Sequence, residues 1–406
     1  MDCFIPRNDG WRNAMKLQIR DNNIITTIIS VLALVITLIG CTNTEYIEEP
    51  DDPYITQLIE EMTLEEKLGQ LLICRIPDGA TTVDIFICQS EIGSTIHLIS
   101  EYNVGGLVIF SENVESIEQM KAFTADLQAN SKIPLFISID EEGGRVSRIG
   151  KLYNHRIGSA GRVALVEGAA YNYGYDISLR LKELGINMNF APVADIWSNK
   201  ANTVIGDRAF GSEPSDVAYQ VRHAVRGFQT NDIISVLKHF PGHGDTTEDS
   251  HIQLATYTGT KERFDSFESI PFKSGISAGG AGVMIGHIAT PNIKGRPPSL
   301  DWLSVWHENG NLPATFSEYW IQDVLRGELG FEGLVITDAL EMGALANNFT
   351  EEQIAVAAFV AGADILLIPQ NPAVTLNALK KAYNEGIITE ERLSESLRII
   401  LKTKIY

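Results

Sequence analysis

Short apolar runs alternate with segments of helical periodicity along most of the chain, and this alternation constrains the fold more than any other feature. Between the runs, apolar residues recur at helical spacing, for example over residues 116–131, 166–185, 216–230, 317–330 and 351–361. The runs are rich in β-branched residues and lie at residues 68–76, 106–110, 135–140, 187–191, 234–239, 282–287, 333–338 and 364–368. Eight buried strands alternating with helices predict an α/β fold, a single (β/α)8 barrel of the TIM type, with an open doubly wound sheet as the alternative.

Polar residues at or just past the ends of these runs favour the barrel. They are Asp140, Asp195, the pair Lys238-His239, His287 and Asp338. In a barrel the carboxyl ends of all the strands meet on one face, where the loops build an active site. An open sheet brings together only the ends near its switch point. Since the chain ends after one last helical segment, residues 389–404, we expect a single barrel domain over residues 54–406 and no second folded domain.

The first forty residues have the composition of an export signal. Lys16 and Arg20 precede an uncharged apolar run at residues 24–39, which is shorter than the roughly 20 residues of a spanning helix and suits the core of a signal peptide. We therefore expect a signal peptide over residues 1–40, with Met15 as the more usual start. An uncleaved N-terminal anchor is the alternative, and both place the barrel outside the cytoplasm.

The apolar run ends in the tetrapeptide Leu-Ile-Gly-Cys, whose cysteine is Cys41. This tetrapeptide resembles the lipobox of bacterial lipoproteins, in which the cysteine is lipidated and becomes the mature N-terminus. The resemblance implies an exported protein that is held at the membrane by a lipid on Cys41. Residues 41–53 are polar and acidic, as expected of a tether between a lipid and a folded domain.

The charge of the chain limits its partners. A formal net charge of −20 cannot neutralise a row of phosphates, which argues against nucleic acid, and it provides no attraction to an anionic membrane surface. The 4 cysteines are too few for a disulfide framework. Cys74 and Cys88 lie among apolar residues and are expected to be buried thiols, with a disulfide as the alternative.

Residues 238–251, KHFPGHGDTTEDSH, are rich in reactive side chains. A metal site on His239, His243 and His251 is one interpretation, but the proline and glycine between the first two histidines prevent an HExxH arrangement on a helix. Acid/base catalysis by Asp249 and His251 is another, because a carboxylate two residues away can orient the imidazole, fix its tautomer and raise its pKa. A solvated loop without a catalytic role is the third. We expect no metal and no cofactor.

Nine segments carry the most specific information in the sequence. They are MTLEEKLGQLL (62–72), GGLVIF (105–110), IDEEGGRVSR (139–148), NFAPVADI (189–196), GDRAFG (206–211), LKHFPGHGDTTEDSH (237–251), VMIGHI (283–288), FEGLVITDALEMGAL (331–345) and AGADILL (361–367). Together they resemble the β-N-acetylhexosaminidase branch of glycoside hydrolase family 3, over about residues 55–400. The segment at 237–251 is highly specific to this branch, whereas AGADILL alone is a weak signal.

The resemblance implies an activity and a set of site residues. Asp338 matches the nucleophile, His251 the acid/base residue and Asp249 the partner of His251. The positions that match those binding the sugar hydroxyls and the N-acetyl group are Asp140, Arg148, Arg208, Lys238 and His239. The implied reaction is retaining removal of terminal β-linked N-acetylglucosamine from peptidoglycan fragments or chitin oligomers.

Each assignment has a structural alternative. Asp338 could cap the following helix, and Asp140 could accept hydrogen bonds from the amides of the glycines at 143–144. Arg208 could pair only with Asp207 or with another acid at the barrel mouth.

Two residues depart from the pattern of the family. Ala339 stands where relatives usually carry a second Asp, which removes one hydrogen-bond acceptor near the nucleophile. Glu141 stands where relatives commonly carry Gln, which adds a negative charge near Asp140. The rival functions are a β-N-acetylglucosaminide phosphorylase on the same scaffold, a sugar-binding lipoprotein with weak or no catalysis, and another exo-glycosidase of the family.

Overall fold

The computed structural model of the protein describes residues 52–82 and 95–406. Its strands in chain order, β1 to β10, are Leu72–Arg75, Gly106–Ile109, Phe136–Ile139, Met188–Asn189, Ile234–Phe240, Ala255–Thr256, Gly282–Ile285, Ile288–Ala289, Leu334–Thr337 and Leu366–Leu367. Within these residues, eight parallel strands form one sheet in the order β10-β1-β2-β3-β4-β5-β7-β9. A parallel bridge between Ile336 of β9 and Ile365, just before β10, joins the two ends of the sheet, so the predicted (β/α)8 barrel is confirmed.

Helices follow the barrel strands and cover the outside of the barrel. Their bounds are Pro53–Glu61, Leu64–Gly69, Thr95–Ser100, Ile117–Ala129, Ala160–Val163, Ala169–Glu183, Pro214–Gln229, Lys261–Ser266, Ser269–Ser277, Ser304–Glu308, Gly343–Ala346, Glu351–Ala361, Pro372–Asn384 and Glu390–Ile405. Side-chain caps fix several of their starts. Ser116 and Thr389, for example, accept hydrogen bonds from the amides of Gln119 and Arg392.

Two elements differ from the prediction. The first strand begins at Leu72 and not at residue 68, because Leu64–Gly69 is a helix that starts with a capping box of Thr63 and Glu66. The predicted helix over residues 317–330 exists, but Tyr319–Glu328 has the wider winding of a π-helix. Its end at Gly330, with φ of +65°, is the predicted glycine terminus.

Strands β6 and β8 form a small second sheet above β5 and β7. Ala255 pairs with Ile288 and Thr256 with Ala289, both in parallel register. This pairing anchors the end of the long loop that follows β5. The loop therefore leaves the barrel at Phe240 and is held again where β6 pairs with β8.

The signal peptide over residues 1–40, Cys41, nearly all of the acidic tether and Cys88 lie outside the described residues. Cys74 is buried in β1 with a free thiol, and burial raises its pKa. Among the residues that the structure describes, no helix is both long enough and apolar enough to cross a bilayer.

Candidate active site

The carboxyl ends of the barrel strands gather the predicted site residues. Asp140 directly follows β3, Asp338 directly follows β9, and Lys238 and His239 lie in the last half of β5. The others lie on loops that leave the same ends. Arg148 is on the loop after β3, Arg208 ends a short 3-10 turn, Gly206–Arg208, and Asp249 and His251 lie on the loop after β5.

A buried carboxylate, Glu142, holds two of the predicted sugar-binding cations. Its side chain is 2% exposed, and its two oxygens accept from Nε and Nη2 of Arg208 at 2.8 and 2.9 Å. Lys238 Nζ lies 2.6 Å from Glu142 Oε1 and also 2.6 Å from Asp140 Oδ1. Burial alone would raise the pKa of Glu142, but the charges of Arg208 and Lys238 hold it well below its ordinary value. Arg208 therefore pairs with an acid at the barrel mouth, which is Glu142 and not Asp207.

An irregularity in β5 brings two consecutive side chains into this site. The pairing of β5 with β7 shifts between Leu237 and Phe240. In a regular strand Lys238 and His239 would face opposite sides of the sheet. Here Lys238 reaches Asp140, and His239 Nε2 lies 3.4 Å from Arg208 Nη2. A bulge is a common way to redirect a side chain next to an active site.

A second buried carboxylate, Asp195, organises the imidazole side of the site. It is 1% exposed, lies 2.7 Å from His239 Nδ1 and accepts from the amide of His243 at 2.6 Å. Burial would raise its pKa, but His239 and His243 lower it. Because a carboxylate only accepts, Nδ1 of His239 carries the hydrogen, and Nε2 is the atom turned toward Arg208.

Arg148 is fixed mainly through its backbone. Its amide and that of Ile149 donate to Glu141 Oε2 at 2.7 and 3.0 Å, while Ser147 Oγ donates to Glu141 Oε1 at 2.5 Å. Burial raises the pKa of Glu141. Among the described residues Arg148 Nε has no hydrogen-bond partner, and the guanidinium lies 5.5 Å from the centroid of the Phe110 ring. The Nε donor is thus not used by another described residue.

Asp338 occupies the end of β9 and is partly accessible. Its Oδ1 accepts from the amide of Ala339 at 2.8 Å. Burial would raise the pKa of Asp338, but His239, His287 and the Ala339 amide hold it below its usual range, so the carboxylate is ionised near neutral pH. His287 Nε2 donates to the carbonyl of Ala339 at 2.9 Å, and its Nδ1 lies 2.7 Å from Thr315 Oγ1. Since burial lowers the pKa of His287, it is a neutral support for the backbone next to Asp338.

His251 and Asp249 form a pair on the exposed loop. His251 Nδ1 lies 2.8 Å from Asp249 Oδ1, which also accepts from the His251 amide at 3.0 Å. Desolvation would raise the pKa of Asp249, but these two bonds lower it. Nδ1 must carry the hydrogen because the carboxylate only accepts, so Nε2 faces away from Asp249. The His251 side chain is 67% exposed, and it acts electrostatically on Asp338.

The loop that carries this pair is bound to the segment that follows Asp338. The amides of Gly343 and Ala344 donate to the carbonyls of His251 and Ser250 at 3.1 and 3.2 Å. Asn347 Nδ2 donates to the carbonyl of Ile252 at 3.0 Å. The segments that carry the His251 imidazole and the Asp338 carboxylate are thus joined by backbone hydrogen bonds.

The structure therefore joins Asp140, Lys238, Arg208 and His239 in one network and sets Asp249 and His251 apart as a pair. Sequence reasoning missed Glu142 and the role of Asp195 as an anchor. Their signal was weak, because Glu142 is one of three consecutive acids and Asp195 lies on the loop after β4, past the end of the strand. Among the described residues no group of three or more His, Cys, Asp or Glu side chains is placed to hold a metal ion.

The arrangement provides the parts of glycosidic bond cleavage. An ionised carboxylate at a strand end can stabilise or attack an oxocarbenium-like carbon, and an imidazole oriented by a carboxylate can exchange a proton with the departing oxygen. The two cations and Asp140 offer donors and acceptors for a polyhydroxylated ring.

Known proteins are similar to this chain in sequence and in fold. Residues 63–403 match the Glycosyl hydrolase family 3 N terminal domain. The chain is 35% identical over 379 residues to beta-hexosaminidase A of Pseudoalteromonas piscicida. This alignment covers 84% of this chain and 61% of that protein. The chain is also 33% identical over 304 residues to the beta-hexosaminidase of Alkalilimnicola ehrlichii. That alignment covers 73% of this chain and 82% of the relative.

A solved structure agrees with these sequence matches. The glycoside hydrolase family 3 beta-N-acetylglucosaminidase from Paenibacillus sp. str. FPU-7 superposes with a TM-score of 0.75 at 37% identity, over 84% of this chain and 62% of that chain. The chain thus spans less than two thirds of the Pseudoalteromonas and Paenibacillus proteins. Since the family match covers most of its length, the chain belongs to glycosyl hydrolase family 3.

Proposed function

We propose that this protein is a retaining β-N-acetylhexosaminidase that removes terminal β-linked N-acetylglucosamine. Asp338 is the nucleophile, His251 the acid/base residue and Asp249 the group that orients it. Asp140, Arg148, Arg208, Lys238 and His239 bind the sugar. The relatives named beta-hexosaminidase and beta-N-acetylglucosaminidase support this substrate class.

The observation that carries the proposal is the oriented imidazole of His251 on a loop bonded to the segment after Asp338. In the first step an oxygen of Asp338 attacks the anomeric carbon while the bond to the leaving oxygen breaks, and His251 Nε2–H gives its proton to that oxygen. In the second step His251 Nε2 takes a proton from water, the water oxygen attacks the anomeric carbon, and Asp338 leaves as a carboxylate. The pair with Asp249 stabilises the imidazolium form that donates the proton in the first step and is regenerated in the second.

The test compares nitrophenyl β-N-acetylglucosaminide with the matching β-glucoside. We expect release of nitrophenol from the first and little from the second. Asp338→Asn should abolish turnover, and an activated 2-fluoro sugar should label Asp338, with the β-anomer as the first product by NMR. Labelling of another residue, or an initial α-anomer, would contradict the mechanism.

The same assay decides between the proposed hydrolase and its rivals. If phosphate accelerates turnover and a sugar 1-phosphate accumulates, the protein is a phosphorylase. If both glycosides remain intact while N-acetylglucosamine binds, the protein is a sugar-binding lipoprotein. Ala339 alone does not favour the second outcome, because the neighbouring contacts to Asp338 and His287 are made by the backbone of residue 339.

We also propose that the protein is an exported lipoprotein that acts on peptidoglycan or chitin-type oligosaccharides. The sequence Leu-Ile-Gly-Cys ending at Cys41 supports this proposal. Cys41→Ser should release the protein from the detergent-soluble membrane fraction, and labelled fatty acid should be incorporated into the wild type only. Unchanged membrane retention without any acyl label would indicate an uncleaved anchor.

A further inference from the structure

His243 is a buried histidine that the proposed reaction does not use. It is 1% exposed and lies near the start of the loop between β5 and β6. Its amide donates to Asp195 Oδ1 at 2.6 Å, and Asp195 also holds His239. The backbone of His243 is therefore fixed to the carboxylate that organises the sugar-binding imidazole.

Both ring nitrogens of His243 are occupied within the loop. Nδ1 lies 2.7 Å from Thr246 Oγ1, and Nε2 lies 3.1 Å from Ser250 Oγ. Burial lowers the pKa of His243, which keeps the ring neutral near pH 7. With no free nitrogen, the ring does not contact a substrate, and its contacts point inward along the loop.

Ser250 is the residue between Asp249 and His251. Ser250 is 2% exposed, whereas the side chain of the next residue, His251, is 67% exposed. Its hydroxyl meets His243, and its carbonyl accepts from the amide of Ala344. Ser250 is thus a fixed point from which the exposed pair of Asp249 and His251 projects.

We propose that His243 is a positioning residue for the acid/base pair and acts through the hydrogen bond to Ser250. The inference rests on the proposed function of His251. It links the two halves of the site, because Asp195 then holds the sugar-binding side through His239 and the proton-transferring side through His243. Sugar binding and proton transfer share one buried anchor.

The consequence is a dependence on the leaving group. A sugar leaving group requires protonation, whereas nitrophenolate leaves with little help. Loss of the His243–Ser250 bond should therefore lower kcat/KM for a β-linked di-N-acetylglucosamine substrate more than for the nitrophenyl glycoside. His251→Ala should do the same to a larger extent, and added azide should accelerate its turnover of the nitrophenyl glycoside because azide needs no general base.

The experiment measures the ratio of the two kcat/KM values, disaccharide over nitrophenyl glycoside. Ser250→Ala is the main variant, because it removes one oxygen and leaves the fold intact, and His243→Ala is the second. We expect the ratio to fall about 3- to 10-fold in each, the effect of one hydrogen bond of ordinary strength. The double variant should fall no further than the larger single change. Added azide should also accelerate the turnover of the nitrophenyl glycoside by these variants, to a smaller extent than in His251→Ala.

The same substitutions are then made in the His251→Ala background, where we expect no further change in the ratio. Ser178→Ala is the matched control, because it removes an equally buried serine hydroxyl, bonded to Tyr175 and Gly227, on a helix away from the loop. An unchanged ratio in Ser250→Ala and His243→Ala, or an equal fall with and without His251, would overturn the proposal. If the wild type releases no nitrophenol, the proposed function fails, which is a separate result.

Discussion

At the scale of single residues, the buried carboxylate of Glu142 holds two cations of the site together. It bonds Arg208 through both oxygens and Lys238 through one, and all three side chains are largely removed from water. A buried ion pair contributes little when intact, but it leaves an uncompensated charge when one partner is removed. In the proposed function, sugar binding therefore depends on a residue whose side chain holds two of the proposed sugar-binding residues.

We expect Glu142→Gln to lower the free energy of unfolding by about 3 kcal/mol, the lower end of the range for breaking a buried pair, because Asp140 and the amide oxygen still accept from the cations. KM for the nitrophenyl glycoside should rise, since Lys238 and Arg208 lose their fixed positions. Urea unfolding and steady-state kinetics measure the two effects.

Asp207→Asn is the control for this prediction. Asp207 is the exposed acid next to Arg208, and its Oδ1 lies 3.6 Å from Arg145 Nε. Exposed pairs contribute about 0–1 kcal/mol, so stability and KM should hardly change. If both substitutions have the same effect, Glu142 has no special role.

The sequence predicts which residues lie at strand ends, but it does not predict which partner each of several neighbouring acids contacts. Asp140, Glu141 and Glu142 are consecutive carboxylates, and nothing in their order separates them. In the folded chain Asp140 meets Lys238, Glu141 turns to the amides of its own loop, and Glu142 turns to the cations. The loop's path, including two glycines of positive φ at 143 and 144, decides this.

At the scale of elements, the loop after β5 depends on close contact with the loop after β4. A Cβ added to Gly244 would stand 1.8 Å from the carbonyl oxygen of Ile196, so the two backbones touch where only glycine fits. The backbone amide of Asn199 adds to this contact by donating to the carbonyl of Gly244 at 3.3 Å. The position of His251 therefore depends on a neighbouring loop.

We expect Gly244→Ala to displace the loop and to lower kcat/KM for the disaccharide by at least about 10-fold, through loss of proton donation. The effect on the nitrophenyl glycoside should be smaller. Gly211→Ala is the control, because a Cβ there meets only a methyl carbon of Val217 at 3.7 Å, an ordinary contact. Equal rates for Gly244→Ala and the wild type would show that the loop tolerates the displacement.

The elements themselves were largely predictable. Each of the eight apolar runs coincides with a barrel strand to within a few residues, and polar caps such as Ser116 and Thr389 mark helix starts. The π winding of Tyr319–Glu328 was not predictable, because its apolar face also fits an α-helix. In the folded chain its Trp320 packs against Phe240 and Phe264. The β5 irregularity likewise has no signature in local periodicity.

At the scale of the whole molecule, a partly buried amine at the opposite end of the barrel couples stability to pH. Lys404 of the last helix donates to Gln70 Oε1 at 2.8 Å and lies 4.9 Å from the centroid of the Phe136 ring. Gln70 precedes β1 and Phe136 begins β3, so this is the amino end of the strands. Burial lowers the pKa of Lys404 to about 7.

The unfolded chain binds this proton more tightly, since a free lysine titrates near about 10.4. Stability should therefore rise with pH from about 7 to 10, and the cost of burying the charge is fully present below pH 7. Lys404→Met should stabilise the protein at pH 6 by roughly 1–3 kcal/mol, a value discounted because the side chain is only partly buried.

Urea unfolding at pH 6, 8 and 10 tests this prediction, and the gain should disappear by pH 10. Lys402→Met is the matched control on the same helix, because Lys402 is exposed. A pH-independent gain, or the same gain in Lys402→Met, would contradict the expected role of Lys404.

The backbone bonds from Gly343 and Ala344 to the carbonyls of His251 and Ser250 also bear on how such a sequence can diverge. Main-chain groups make these bonds, so most side chains on either side can change by mutation without separating His251 from Asp338, the proposed proton donor and nucleophile. Gly343 is the exception, because a Cβ there would meet the carbonyl oxygens of Ile252 and His251 at 2.7 and 2.9 Å. Evolutionary drift is thus restricted at one glycine that has no part in the chemistry.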